Sequence, residues 1–426
     1  MLKSESLTGI FRNVRPDLLV LRGANDREVL AALAQAPVPV VVRLDEHTMG
    51  PGLPWTSLRS DDPPPEAEIA PDAPAIIMHT SGTTATPKGA VMRHCDLLFN
   101  VMTTINAHQF HVRDVHLLIN PMFHCTALYS SLSAAAYTRT PVIITATGDA
   151  DQIMELVARE RITTFLSVPT IFQRLLDLPD LARYEASALR LMAYAGSPMP
   201  VSTIRGLRRH FPNVELHNFF GLTETISMTH VLSGAEADTR PDSIGRLLPF
   251  VEARVVAPDT RTELPAGETG ELIFAREEII PGYYNQPGRL EDSLLDIDGR
   301  TWFKTGDLAR VDAEGYFFLQ GRSKEMIIVG GENVYAAEVE SVLLSHPCVR
   351  EAAVKGVPAT GVRKALGELV LAYVVTRDPG LTEQALRGYC FERLASFKVP
   401  VRILFLDALP RNPAGKVLKG ELAGYS

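Results

Sequence analysis

The chain is predicted to be an α/β protein, with a large N-terminal domain of parallel βαβ layers plus a β-rich subdomain and then a small α+β C-terminal domain. Three observations predict it. Between Val142 and Phe219 short apolar runs alternate with amphipathic helical stretches, the pattern of parallel βαβ units whose ligands sit at the carboxyl ends of the strands. Beyond Thr239, β-type segments separated by Gly and Pro turns replace that alternation. A last boundary falls near Gly321–Lys324, after which helical and strand patterns make up a unit of their own.

In chain order, the segment up to about Asp72 holds α/β-like pieces such as Asp17–Leu21 and Val38–Val42, and ends in the stiff connector Asp61–Glu66 with its three consecutive prolines. Ala75–Met78 reads as a buried strand, Ala90–Met92 as a second apolar run, and Arg93 to about Phe110 as a helix. Val142–Thr145, Thr164–Val168, Leu191–Ala195 and Glu215–Phe219 read as strands, and Asp151–Arg159, Thr170–Leu178 and Val201–His210 as helices. Ala253–Val256, Glu271–Phe274 and Gly315–Leu319 are the β-type segments of the subdomain. Helices at Tyr335–Leu344 and Thr382–Leu394 and strands near Ala352–Gly356 and Leu369–Thr376 complete the small domain. Internal repeats are not visible.

Composition narrows the function. Hydrophobic residues at 46% and charged residues at 22% are ordinary for a globular protein, and 426 residues suffice for two or three domains. A net charge of −8 and a pI near 5.8 argue against a general binder of nucleic acid or anionic membranes. Cys95, Cys125, Cys348 and Cys390 show no paired spacing, so neither a zinc site nor a disulfide framework is expected and the cytoplasm is the expected compartment. No apolar run is long enough to span a bilayer.

Chemistry concentrates in five short stretches. Thr80-Ser81-Gly82-Thr83-Thr84-Ala85-Thr86-Pro87-Lys88-Gly89, held between two strands, combines two glycines, clustered hydroxyls and one lysine, the makings of a phosphate cradle or of a solvated loop. It is not a Walker loop, because Lys88 precedes the last glycine and a strand follows. Asn218–Thr225, after a strand, places Phe220, Gly221, Thr223 and Glu224 in one turn, able to stack a base, admit a phosphate and hold a magnesium ion; a plain polar turn is the alternative. Asp307 ends the run Trp302–Asp307 at the close of an expected strand, where its carboxylate could accept both hydroxyls of a ribose or simply stand in a turn. Gly330-Gly331 reads on its own as a glycine turn before a helix. Leu409–Val417 is a rigid Pro/Gly turn presenting Lys416.

Taken together, these stretches closely resemble the motifs of the adenylate-forming superfamily, which includes acyl-CoA synthetases, nonribosomal peptide adenylation domains and firefly-type luciferases. The resemblance runs from about Ala75 to Lys419, with the motifs in the family's order. It departs in having Ala85 for a glycine, Phe220 for the commoner tyrosine and Ala127 for a glycine. The signature loop also arrives early, so the opening helices and strands of the family's large domain are expected to be missing, whether the chain is naturally short, begins at a misplaced start or is one part of a split protein. The resemblance implies that Thr80, Ser81, Gly82, Thr83, Thr84 and Lys88 hold the phosphates, Phe220 stacks on adenine beside Gly221, Thr223 contacts the α-phosphate and Glu224 ligates Mg2+. It gives Asp307 the ribose with Arg322 as companion, and Lys416 the bridge between substrate carboxylate and α-phosphate. Lys324 falls at the family's hinge, which makes the small domain mobile and sets the boundaries at 1–320, 321–325 and 326–426. Gly330 and Gly331 border the coenzyme A tunnel.

Pro121–Ala127 matches the segment beside the acyl pocket, with Ala195–Pro198 as another wall, which nominates His124, Ala127, Gly196 and Ser197. Amino-acid-activating relatives carry an aspartate at the His124 position to pair with an α-ammonium, so an α-amino acid is not expected here. A buried structural role is the alternative for His124. The expectation is therefore an AMP-forming acid–thiol ligase that uses ATP, Mg2+ and coenzyme A. Its rivals are a ligase that hands the acyl group to an amine, an alcohol or a carrier-protein thiol, and a non-catalytic nucleotide-binding remnant. A homodimer is compatible with the sequence.

Overall fold

The structure is a computed structural model that describes all residues except 1–2, 23–25, 45–51, 64, 81–87, 227, 412–416 and 423–426. The chain forms two compact units, Met1–Leu98 with Ile280–Asp292 and Phe99–Ile279 with Ser293–Ser426.

The first unit opens with the helix Ser4–Val14 and a βαβ turn, in which Leu18–Leu21 pairs in parallel with Val40–Arg43 across the helix Asp26–Gln35. Phe11, Ala32, Ala36 and Val38 form its small core. The strands Pro74–Thr80 and Lys88–Arg93 form an antiparallel hairpin in which Thr80 faces Lys88. Gly89 is required there, since a Cβ would lie 2.7 Å from Ile77 Cγ2. The Gly89 carbonyl accepts from the Tyr284 N–H at 2.7 Å, which pins the base of the hairpin to the segment returning at Ile280–Asp292.

The second unit is built on a seven-stranded sheet. Its spatial order is Arg246–Leu247, Met228–Leu232, Glu215–Gly221, Leu191–Tyr194, Thr164–Ser167, His116–Leu118 and Val142–Ile144, the last five mutually parallel. Helices Ala150–Arg159, Pro169–Leu176 and Val201–His210 cover these strands, which are largely apolar where buried, with Phe165, Phe172, Met192, Tyr194 and Leu207 fully buried between the layers. Chain order reverses beside His116–Leu118, since that strand leads to Val142–Ile144 on one side whereas Thr164–Ser167 leads to Leu191–Tyr194 on the other. Open α/β sheets bind ligands at such a reversal.

A second sheet carries Ala253–Val256, Thr269–Ala275, Arg300–Val311 and Leu294–Ile297, and Phe317–Arg322 also pairs with Arg300–Val311. Trp302 and Phe274 are buried in it. Beyond Arg322 come the hairpin Ile327–Val329/Glu332–Val334, the helix Ala336–Leu344, and a sheet of Val349–Pro358, Glu368–Thr376 and Arg402–Phe405 backed by Glu383–Phe391. The expected elements are present with ends shifted by a few residues. No helix among the described residues is long and apolar enough to cross a membrane.

Four histidines of the second unit, His108, His116, His217 and His230, are fully buried. Burial holds all four below the usual imidazole range, His116 at about 4 and His230 at about 3. Folding therefore favours their neutral forms. The stability they support is complete above the unfolded value of about 6.5 and is lost as pH falls from there through the folded values, at up to about 1.4 kcal/mol per pH unit for each group. Unfolding free energy measured against pH is expected to decline from pH 6.5 toward 4, and His116→Gln, which removes one such proton, should flatten the decline; equal slopes for both proteins would contradict the assignment.

Candidate active site

The carboxyl edge of the seven-stranded sheet gathers four loops. After His116–Leu118 the chain runs through Asn120 to His124. After Thr164–Ser167 comes Val168, after Leu191–Tyr194 come Gly196 and Ser197, and after Glu215–Gly221 come Thr223 and Glu224. Asn120 joins the first two where chain order reverses: its Oδ1 accepts from Ser167 Oγ at 3.0 Å and its Nδ2 donates to the Leu166 carbonyl at 3.2 Å. Sequence reasoning did not single out Asn120, since a lone Asn before Pro looks like any turn residue.

His124 is half-buried, and burial keeps its imidazole below the ordinary range. Its carbonyl receives the N–H groups of Ala127 and Leu128 at 3.2 and 3.1 Å. A π-helix follows over Thr126–Ser133 with Ala127 fully buried in it, a feature absent from the sequence reading. Ser131 and Ser133 hydroxyls reach the carbonyls of Thr126 and Leu128, five residues back, at 3.1 and 2.9 Å. Such side-chain bonds help satisfy the wider turn, and π-turns of this kind are frequent at functional sites. Cys125, read from sequence as an ordinary reduced cysteine, lies beside this turn; burial pushes its thiol up against the opposing hydrogen bonds of the Thr126 backbone and the Thr223 side chain. Gly196, at φ +87°, and Ser197 are exposed at the end of their strand.

Phe220 and Gly221 are the last two residues of the strand Glu215–Gly221, which runs further than expected, and Thr223–Thr225 is a single 3₁₀ turn. The Thr225 hydroxyl accepts from the Leu222 N–H at 2.9 Å and fixes that turn. Phe220 is half-buried and Gly221 exposed.

Asp307 was expected at a strand end, but Arg300–Val311 is continuous and Asp307 lies inside it. The strand tolerates this because its pairing with Thr269–Ala275 shifts register between Glu271 and Ile273 and Gly306 takes φ +73°. The distortion is held by the Thr305 hydroxyl, which donates to the Leu272 carbonyl at 2.7 Å and accepts from the Asp307 N–H at 2.9 Å. Asp307 is 7% exposed and pairs with Arg322 across the strands, Oδ1 to Nε at 2.7 Å; Arg322 Nη1 also donates to the Thr305 carbonyl at 3.2 Å. A near-buried carboxylate paired with an arginine suits binding of vicinal hydroxyls.

Lys324 is exposed in the 3₁₀ turn Ser323–Glu325. Gly330 and Gly331, at φ +62° and +90°, form the tip of the hairpin Ile327–Val329/Glu332–Val334 rather than the turn that starts the helix, which begins at Ala336. In the first unit, Thr80 ends one hairpin strand and Lys88 opens the other, its Nζ lying 4.9 Å from the centre of the Tyr283 ring. Ser81, Gly82, Thr83, Thr84 and Lys416 lie outside the described residues.

Two family models cover this architecture in order, that of AMP-binding enzymes over residues 1–284 and that of the AMP-binding enzyme C-terminal domain over 338–416. The chain belongs to the AMP-binding enzyme family. It is 34% identical over 368 residues to indoleacetate–CoA ligase of Aromatoleum aromaticum, covering 85% of this chain and 69% of that one. With a long-chain-fatty-acid–CoA ligase of Mycobacterium tuberculosis it shares 32% identity over 413 residues, 95% of this chain and 79% of the other. ATP-bound MatB from Rhodopseudomonas palustris superposes with a TM-score of 0.84 at 30% identity, over 99% of this chain and 81% of that one. The amide bond synthetase McbA from Marinactinospora thermotolerans gives 0.85 at 27%, over 99% and 82%. This AMP-binding enzyme is accordingly of the acyl- and aryl-CoA ligase kind, activating a carboxylic acid with ATP and transferring it to coenzyme A.

Proposed function

We propose that this AMP-binding enzyme forms an acyl-adenylate at the carboxyl edge of the seven-stranded sheet and then passes the acyl group to coenzyme A. The observation that carries the reading is the convergence there of the His124–Ala127, Gly196–Ser197 and Thr223–Glu224 loops. The acid's carboxylate oxygen attacks the α-phosphorus, the bond to the bridging oxygen breaks, and pyrophosphate leaves. In the second step the coenzyme A thiolate attacks the acyl carbon, AMP leaves, and the thiol proton passes to solvent. Both steps are driven by positioning and charge stabilisation, with no protein nucleophile.

In this reading Phe220 and Gly221 receive the adenine, Asp307 with Arg322 the ribose, and Thr223 the α-phosphate. Thr80 to Thr84 and Lys88 receive the remaining phosphates, and Lys416 the reacting carboxylate. Glu224 supplies the protein ligand to magnesium, which neutralises phosphate charge. A single carboxylate suits that ion, because magnesium is commonly held by one or two carboxylates together with substrate phosphates. His124 and Ala127 border an acid without an α-ammonium group. Residues 1–320 act as the adenylating body, 321–325 as hinge and 326–426 as the rotating domain, and four unbridged cysteines favour a cytoplasmic setting.

The test is pyrophosphate release from magnesium-ATP with a panel of aryl and short- to long-chain acids, with and without coenzyme A. Acid-dependent release, with a thioester formed only when coenzyme A is present, is the expected result. The likeness to an amide bond synthetase supports a second reading, with an amine as acceptor; acid-dependent release without any thioester, and with amide formed from supplied amines, would select it. Tight ATP binding by folded protein without release across the panel would instead indicate a non-catalytic nucleotide-binding chain.

A further inference from the structure

Phe220 and His230 face each other across the antiparallel pair Glu215–Gly221/Met228–Leu232, so their side chains leave the same face of the sheet. His230 has no exposed surface. Its ring lies edge-on to Phe220 at 5.8 Å between centroids, to Phe317 at 4.6 Å and to Phe274 at 6.1 Å. Nδ1 is 2.9 Å from Thr229 Oγ1, and that hydroxyl donates to the Phe220 carbonyl at 3.3 Å, an arrangement that places the imidazole proton on Nδ1. Nε2 has no hydrogen-bond partner among the described residues.

The three phenylalanines come from different places. Phe220 ends a strand of the seven-stranded sheet. Phe274 stands on Thr269–Ala275, which pairs with the strand carrying Asp307, and Phe317 opens the strand that ends at Arg322. His230 therefore fills the space between the ring assigned to the base and two strands of the second sheet, one ending at Arg322 and one paired with the strand of Asp307, and through Thr229 it also holds the backbone of Phe220. A wholly apolar residue would fill the cage without burying a ring nitrogen. The geometry points to His230 as a positioning residue for the nucleotide, which sets the Phe220 ring relative to Asp307 and Arg322. This rests on the nucleotide-binding role proposed above.

AMP titrated into the full chain by calorimetry, beside thermal unfolding, tests it without knowledge of the acid. The wild type must bind AMP; if it does not, the reading of the site fails and the inference falls with it. If it does, His230→Ala is expected to weaken AMP about tenfold, the range of one lost aromatic contact. His230→Phe, which refills the cage, should recover affinity to within about threefold of wild type. With Phe220→Ala already present, His230→Ala should cost less than about twofold, because both changes act on one ring. In turnover, the KM for ATP should rise while the KM for the acid stays put. Unchanged AMP affinity in folded His230→Ala, or an undiminished loss without the Phe220 ring, overturns the inference, since a merely structural residue lowers the unfolding temperature and leaves the affinity of the folded fraction alone. Should His230→Ala not fold, His230→Leu is read by the same criteria.

Discussion

Lys416→Ala is expected to lower acid-dependent pyrophosphate release by about 10²-fold or more, the cost of losing one preorganised charge where negative charge develops. Its conversion of supplied acyl-adenylate and coenzyme A to thioester should stay within a few-fold of wild type. Lys416 itself lies outside the described residues, but both flanks of its turn are described. Arg411 and Val417 form a β-bridge, and the Leu418 N–H donates to the Pro410 carbonyl at 2.8 Å, which closes the base of the turn. Arg411 pairs with Glu351 at 2.6 Å on one side. On the other, Lys419 pairs with Glu340 at 2.8 Å and with Glu325 at 3.2 Å, next to the proposed hinge residue Lys324. Burial pushes the Glu340 carboxyl up against the attraction of Lys419, and the two side chains are 15% and 22% exposed. A turn anchored in this way should survive loss of one side chain inside it, so an unfolding temperature near that of wild type is also expected. Because the adenylate already carries the bond that Lys416 helps to make, a role confined to the first step must leave the second intact. Loss of the second step with pyrophosphate release preserved would reverse the assignment.

The two readings of this chain, from sequence and from structure, differ in what each could resolve. Strand–helix alternation from Val142 to Phe219 was legible because the buried parallel strands are rich in apolar residues and their helices amphipathic. The family was legible because stretches of glycine, hydroxyl and carboxylate resemble its motifs in its order, and the family models match over 1–284 and 338–416. Asp307 shows the limit of that approach. Its residue type was readable, yet its place inside a continuous strand depends on a register shift against Thr269–Ala275, which is a property of two segments and not of one. Asn120 and His230 went unread for the same reason, since each draws its significance from a residue at least ten positions away: Ser167 and Phe220. The π-turn at Thr126–Ser133 escaped because its composition is that of any apolar helix, and the serine bonds that sustain it are visible only in three dimensions.

Asp307→Ala should lower kcat/KM for ATP by about 10²-fold or more, because two hydrogen bonds from ribose hydroxyls to a carboxylate are lost together, each worth about 1.5–3 kcal/mol. The side chain of Asp307 is 9% exposed, whereas that of its partner Arg322 is 40% exposed. Arg322 can therefore remain hydrated after the change, and it keeps its bond to the Thr305 carbonyl at 3.2 Å. The fold should accordingly tolerate Asp307→Ala, with the loss appearing in nucleotide affinity. Asp307→Asn separates charge from shape. It preserves the N–H bond to the Thr305 hydroxyl, which belongs to the backbone, and offers a neutral acceptor, so an intermediate loss is expected. The comparison that decides is ATP against 2′,3′-dideoxy-ATP. In the wild type, removing both hydroxyls should cost about as much as removing the carboxylate, and in Asp307→Ala the two nucleotides should be used almost equally. A variant that still prefers the ribonucleotide by the wild-type margin would show that Asp307 serves the ion pair with Arg322 and that the ribose is held elsewhere.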